Sequence, residues 1–379
     1  MTALRGTIAS VALIGAVVAV AWAGSNLGNA GGDSTNADND STDAAAFGVP
    51  PGESLTATST SVSTPAAARP RTPDPEPVGD VRNDGAGAEM VIHVEGHRDV
   101  EEDRRIFLPL ESVFVLPDDS VTVTVEGVAS DAVDLDADGT VDDRRTGRWI
   151  WHPSFSAGYA DLSLTHGPND REYIIRAWRL EPRATIRDGR IAGYRVGRYP
   201  TSPLGGNPIY LPPPGLVRVT DQNRDVRVSP RFRIGQFTSK QSSSFPTYLI
   251  LRSQLLLKLE VLLDEMIERG YPASSFHVMS GYRTPYYNVG VLGNARYSRH
   301  QWGGAADVFV DEAPKNGYMD DLNGDGDIGL EDIRLITEVV DSLERELETY
   351  PIGGAGVYRA NTVRGPFVHL DVRGTRARW

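Results

Sequence analysis

Three side chains able to bind a metal stand out by their spacing. His300 and Asp307 lie seven positions apart in Ser298-Arg299-His300-Gln301-Trp302-Gly303-Gly304-Ala305-Ala306-Asp307, and His369 lies in the strand-like run Phe367-Val368-His369-Leu370-Asp371-Val372. Glycine and alanine fill much of the gap between the first two. Small residues there predict a tight turn feeding a buried strand, so the imidazole and the carboxylate reach one point from two elements. Two imidazoles and a carboxylate, with a fourth position left for water, form a ligand set suited to a catalytic zinc ion. The chain has no cysteine. That excludes disulfides, thiol catalysis and thiolate-held zinc, and leaves His, Asp and Glu as metal ligands.

The segment resembles the zinc-dependent murein peptidases related to D-Ala-D-Ala carboxypeptidases and dipeptidases. Their pattern is Ser-x-His-x-x-Gly-x-Ala-x-Asp, preceded by Ser-Gly-Tyr-Arg-[Ser/Thr] and followed far downstream by a strand carrying the last His. The chain matches at Ser298, His300, Gly303, Ala305 and Asp307, and at Ser280-Gly281-Tyr282-Arg283-Thr284. It is most similar to the murein endopeptidase branch ending in Val-His-Leu-Asp and a terminal Arg-x-Trp, through Val368 to Asp371 and, more loosely, Arg376 to Trp379. The resemblance covers roughly residues 205 to 379.

This resemblance implies an α+β domain with a small antiparallel sheet, zinc on His300, Asp307 and His369, and hydrolysis of peptide bonds in peptidoglycan stem peptides or cross-links. Both endopeptidase and carboxypeptidase action stay open. It implies that Arg283 stabilises an oxyanion or holds a substrate carboxylate, and that Ser298 and Tyr282 bind on the substrate side. The chain departs from the family at the general base. Relatives carry Glu or Asp three residues before the last His, or His two before it, where this chain has Pro366 and Phe367. Asp371, two residues after His369 and on the same face of the strand, is either the base or a group that orients an imidazole. Two further readings remain: a catalytically inactive peptidoglycan-binding module, and a calcium-dependent surface-binding protein.

The elements that must position these groups follow from periodicity. Leu251, Leu255, Leu259, Leu262 and Met266 repeat with helical spacing, with Thr247 as cap and Gly270 and Pro272 as the stop. A strand from Phe276 to Ser280 then delivers the chain into the Ser-Gly-Tyr-Arg turn, and His277 reads as a structural strand residue. Upstream, 88–182 holds short alternating runs separated by turn residues, such as Val121-Thr122-Val123-Thr124-Val125 and Trp149-Ile150-Trp151, which predict an Ig-like β-sandwich. Its His93, His97, His152 and His166 have no ligand spacing. The fold class is therefore multidomain: an Ig-like all-β sandwich, a connecting segment (183–245) packed as extended chain, and an α+β zinc peptidase domain (246–379).

Two acidic stretches have calcium-loop spacing. Asp321, Asn323 and Asp325 stand at positions 1, 3 and 5 of such a loop, with Gly326 at 6, Asp327 contributing its carbonyl at 7, Ile328 at 8 and Asp332 at 12. This 321–332 insertion resembles a single dockerin-type loop and implies a structural calcium ion. Asp134, Asp136, Asp138 and Gly139 repeat the first half, but position 12 is Arg145, so that stretch is either a weak calcium site or a plain acidic turn.

The formal net charge is −13 and no basic cluster tracks a phosphate backbone, which argues against nucleic acid as a partner. Residues 1–23 carry Arg5 and an apolar run ending in Ala21-Trp22-Ala23, which reads as an export signal; an uncleaved anchor is the competing reading and the one route to a membrane. Residues 24–87, rich in Ser, Thr, Pro and Asp, read as a disordered linker. The expected location is periplasmic or cell-wall associated.

Overall fold

The computed structural model describes residues 89–95, 104–105, 108–126, 133–142, 147–166, 171–312 and 314–379. The expected signal (1–23) and linker (24–87) lie outside the described residues. Every described residue belongs to one compact unit. No helix among the described residues is long and apolar enough to cross a membrane.

The architecture is β-rich and multidomain. Its first half contains β1 (Glu89–Glu95), β2 (Arg104–Arg105), β3 (Leu110–Val115), β4 (Ser120–Glu126), β5 (Val133–Ala137), β6 (Gly139–Asp142), β7 (Arg148–Pro153), β8 (Tyr159–His166) and β9 (Arg171–Pro182). One sheet has the order β2-β1-β4-β7-β6; in the second, β5, β8 and β9 are neighbours and β3 runs parallel to β9. Alternation along the strands sends Val121, Val123, Trp149 and Trp151 from one sheet against Val113, Leu162, Leu164, Ile175 and Ala177 from the other. Each inward set is fully desolvated, which is the main force holding two such sheets face to face. The stretch from Asp134 to Gly139 is not a loop. Asp134 and Asp136 lie in β5, paired with β8, and Asp138 turns the corner into β6, taking the backbone N–H of Asp161 on its carboxylate at 3.1 Å.

Strand β9 ties the two halves together. Its last residues, Leu180 to Pro182, leave the sandwich and pair with β12 (Gly215–Val219). The segment 183–245 is therefore more than extended chain. It forms the hairpin β10 (Arg190–Ile191) and β11 (Tyr194–Arg195), then β12, then turns that bury Val228, Phe232, Ile234 and Phe237. The run Gly215-Leu216-Val217-Arg218-Val219 is buried at all but Arg218, and buried backbone groups need ladder partners; β9 and β13 (Thr247–Leu249) supply them.

The principal helix, α1, spans Ser253–Glu268, starting five residues later than a cap at Thr247 would have it. Thr247 is the first residue of β13, Leu251 precedes the helix, and Arg252 occupies its N-cap. The apolar run Tyr248-Leu249-Ile250-Leu251 is buried on both faces, so it gains more from the ladder with β12 than from a first helical turn. Helix α1 is buried on nearly every side, as a central helix must be. Its two buried charges are paired: Glu260 accepts from Ser229 Oγ (2.6 Å), Arg231 N (2.7 Å) and Arg231 Nη1 (2.8 Å), and Lys258 Nζ reaches Glu344 (3.2 Å) and the Pro351 carbonyl (2.8 Å).

The third sheet has the order β14-β15-β17-β16-β18. Its strands are β14 (His277–Ser280), β15 (Ala305–Phe309), β16 (Gly354–Tyr358), β17 (Phe367–Asp371) and β18 (Ala377–Arg378). The pairing is antiparallel, except that β18 runs parallel to β16. A second helix, α2 (Leu330–Glu346), packs on this sheet and on α1.

Candidate metal centre

Strand β15 carries Asp307 through the middle of the third sheet, and β17 sets His369 directly opposite it in register. His300 arrives from another direction, on the short 3-10 helix Arg299–Trp302. Gly303 ends that turn with φ +67°, where a Cβ would sit 2.6 Å from the Ile250 carbonyl carbon. Glycine is required there on both counts, and it lets the chain reverse from His300 into β15.

The three groups converge. His369 Nδ1 lies 2.9 Å from Asp307 Oδ1, His300 Nε2 lies 3.4 Å from the same oxygen, and the two ring nitrogens are 3.2 Å apart. His300, Asp307 and His369 are each 1 % exposed or less, and among the described residues they are the one His/Asp/Glu group whose ligand atoms gather within 4.8 Å. The outer nitrogens fix the inner ones. His300 Nδ1 is 2.7 Å from the Gly281 carbonyl, which can only accept, so Nδ1 carries the hydrogen. His369 Nε2 is 3.3 Å from Asp371 Oδ2 and donates to it. With both rings neutral, His300 Nε2, His369 Nδ1 and Asp307 Oδ1 present three lone pairs to one buried point. Three electron pairs facing one another without a cation repel, and the donor set fits a metal ion.

Arg283 lies behind the carboxylate. Its Nη2 binds Asp307 Oδ2, its Nε donates to Ser280 Oγ at 2.9 Å, and the side chain is fully buried. Burial alone would raise the Asp307 carboxyl, but its polar contacts, the Arg283 guanidinium among them, outweigh it and hold the group well below the ordinary carboxylate range. Asp307 is thus an anion at neutral pH, as a ligand must be.

Asp371 lies behind His369, on the side away from Asp307. It also accepts from Gly354 N (2.8 Å), Arg373 Nε (2.9 Å) and Arg373 Nη2 (2.5 Å). Burial pushes its pKa up, yet His369 and Arg373 keep it well below the usual value. Of the two roles open to Asp371, the geometry matches the orienting one: a carboxylate that fixes the tautomer and plane of a ligand histidine.

The remaining expected residues fall at different distances from the centre. Tyr282 is fully buried, with its hydroxyl 2.7 Å from Tyr199 Oη, so it packs beneath the site instead of facing a cleft. Ser298 precedes His300 as the N-cap of its turn, buried, with an Oγ that has no hydrogen-bond partner among the described residues. His277 stacks on Phe309 at 4.6 Å and takes no part. In 321–332, Asp332 is fully buried; its Oδ1 accepts from Leu322 N and Asn323 N, and its Oδ2 from Gly329 N. Asp321 binds Gly324 N and Gly326 N, while Asn323, Asp325 and Asp327 are exposed. The acids of this loop do not gather three oxygens within 4.8 Å.

Two further residues contribute: Arg373, which the sequence does not single out, and Trp379, which it matches only as the end of the terminal Arg-x-Trp pattern. Arg373 fastens Asp371, and its position two residues on, on the same face of the chain, is the hint that could have found it. Trp379 places its ring 5.4 Å from the His369 ring and donates from Nε1 to Tyr358 Oη at 2.9 Å. Gly356 makes room for it, since a Cβ there would meet Trp379 Cζ2 at 2.8 Å.

Fold and site together define a β-rich multidomain chain with a buried His–Asp–His group that could hold a metal ion. Comparisons with family models, with curated proteins and with solved structures returned no match.

Proposed function

We propose that His300, Asp307 and His369 hold a catalytic zinc ion, and that the protein is an exported peptidase cutting peptide bonds in peptidoglycan stem peptides or their cross-links. One observation carries the reading: three lone pairs converge on a buried point while a protein group braces the far side of each ligand. When bound, zinc supplies a Lewis acid for a scissile carbonyl and acidifies a water molecule. The chain's own groups do the rest. Gly281 O and Asp371 hold the two imidazoles in the tautomers that leave His300 Nε2 and His369 Nδ1 as donors. Arg283 neutralises the Asp307 oxygen that faces away from the imidazoles, so it acts as a positioning residue.

The Ser-Gly-Tyr-Arg-Thr and Ser-x-His-x-x-Gly-x-Ala-x-Asp matches support zinc and the murein peptidase family. The order of β1-β4-β7-β6 against β3-β9-β8-β5 supports an Ig-like sandwich, because it follows the A-B-E-D and A′-G-F-C order of such domains. For 321–332 the spacing alone supports calcium, and a calcium titration of thermal unfolding tests it.

A second reading is favoured by a specific observation. Pro366 and Phe367 occupy the family's base positions, and Asp371 is engaged by Arg373, Gly354 and His369; the lack of a free base at these positions fits a metal-bearing module that binds peptidoglycan without cutting it. Incubating the full chain with isolated peptidoglycan beside His300→Ala separates the two. Peptides released by the wild type and not by the variant identify the peptidase, and their masses name the bond. Wall binding with no release across several wall types identifies the binding module.

A further inference from the structure

We propose that a cationic cleft beside the metal group seats the carboxylate-bearing part of a peptide ligand. The proposal rests on the peptidase reading and extends it to how the substrate is recognised. The cleft has a volume of about 390 Å³, and Arg195, Arg198, Arg296, Tyr286 and Gln301 line it, with Asp188 the one carboxylate in its wall. Gln301 follows His300 directly, and Tyr286 follows the turn that carries Arg283. The turn that carries His300 and the loop that follows Arg283, the residue bracing Asp307, thus also wall the cleft.

The three arginines differ from the others near the site. Arg231, Arg283, Arg373 and Arg378 are each locked to a carboxylate. Arg195, Arg198 and Arg296 are exposed, and among the described residues none forms an ion pair. Arg195 lies over the Tyr286 ring at 4.2 Å and Arg296 over Tyr297 at 5.8 Å, which leaves the edges of both guanidiniums free to donate. Their backbone is fixed: Tyr286 N donates to Val196 O at 2.9 Å and Gln241 Nε2 to Arg195 O at 3.0 Å. Three forked donors on a pinned hairpin and loop, facing one acid, form an anion seat.

Gln301 says which anion. It is 1 % exposed, its Nε2 donates to Arg296 O at 3.0 Å, and its Oε1 has no partner among the described residues. A buried carbonyl oxygen without a donor is costly; Gln301 lines the cleft, and a ligand N–H that reaches this oxygen would relieve that cost. A ligand that brings amide N–H groups and carboxylates together is a peptide with acidic or free C-terminal groups. A phosphate polymer brings no such donor.

The test uses the full-length protein loaded with zinc, and two probes: a soluble stem-peptide monomer with free carboxylates, and the same peptide with its carboxylates amidated. Binding is read by calorimetry, beside the variant Arg195→Gln/Arg198→Gln/Arg296→Gln, whose exposed positions leave the fold intact by circular dichroism. The wild type is expected to prefer the free-carboxylate peptide by about tenfold, the weight of one or two charge-assisted hydrogen bonds. The variant is expected to bind both forms alike. Equal binding of the two forms by the wild type overturns the proposal, as does arginine-dependent binding of a phosphate-bearing wall polymer in place of the peptide. Carboxylate-dependent binding without cleavage removes the peptidase and leaves the cleft; cleavage indifferent to amidation and to the three arginines removes the cleft and leaves the peptidase.

Discussion

Asp307 and His369 face each other across the β15–β17 ladder, with Oδ1 2.9 Å from Nδ1. A register slip of one residue would turn either side chain to the opposite face of the sheet. The metal group is therefore as well defined as the sheet that carries it, and the sheet is anchored by a buried strand, Ala305–Phe309, with neighbours on both edges.

The brace behind His369 is testable on its own. Asp371→Asn keeps the shape and an acceptor but removes the charge that fixes the imidazole. Metal affinity, measured by competition with a chromogenic chelator, is expected to fall about 10- to 100-fold, the usual effect of losing such a partner. Unchanged affinity with abolished turnover would return Asp371 to the role of general base.

Arg283 makes the opposite prediction about the metal-free protein. Arg283→Met leaves the buried Asp307 carboxylate without its counter-charge, which costs about 3–5 kcal/mol of stability. Urea unfolding of the chelated protein checks this. Zinc is expected to restore part of the loss, because it supplies positive charge at the same carboxylate. A loss below about 1 kcal/mol, the range of a surface pair, would show that the pair is not the buried brace described.

Lys258 gives a pH signature of its own. Burial lowers its pKa to about 8, against the pull of Glu344. Below pH 8 both folded and unfolded chains hold the proton, and the folded one bears the buried charge. Between about pH 8 and 10 the folded chain has released the proton and the unfolded chain has not, so stability rises with pH at up to ~1.4 kcal/mol per unit. Lys258→Met is expected to flatten that rise in urea unfolding followed from pH 7.5 to 9.5. An identical slope in both proteins would contradict it.

Gly303→Ala tests the turn between His300 and β15. The φ of +67° and the Ile250 carbonyl leave no room for a methyl group, so the chain must shift where His300 is held. Strain of this kind costs about 1–3 kcal/mol, and zinc affinity is expected to fall along with the melting temperature. A variant with wild-type affinity would mean that His300 is positioned by other contacts.

The site was legible in the sequence because its ligands sit in short, strongly patterned segments. His300 and Asp307 lie on either side of one small-residue turn, and His369 lies on an apolar strand. What surrounds them was less legible. The behaviour of Thr247 to Leu251 was set by a partner strand some 30 residues upstream, since periodicity alone does not separate a short buried strand from a first helical turn. Asp134 and Asp136 looked like loop ligands because an acidic strand with one wet face has the same spacing. Arg283 and Tyr282 were expected on the substrate side, but one braces Asp307 and the other packs on Tyr199; sequence spacing places a residue near a site without saying which way its side chain turns. The approach of Trp379 to His369 depends on the parallel pairing of β18 with β16, a long-range contact with no local signature.

The most direct test is the metal itself. Full-length protein is purified without added metal, dialysed against zinc, freed of excess, and analysed by elemental mass spectrometry beside His300→Ala and His369→Ala. The expected result is about one zinc per wild-type chain, little in either variant, and circular dichroism spectra that match. A folded wild-type chain that retains no stoichiometric metal, or variants that retain as much as the wild type, would contradict a metal held by His300, Asp307 and His369.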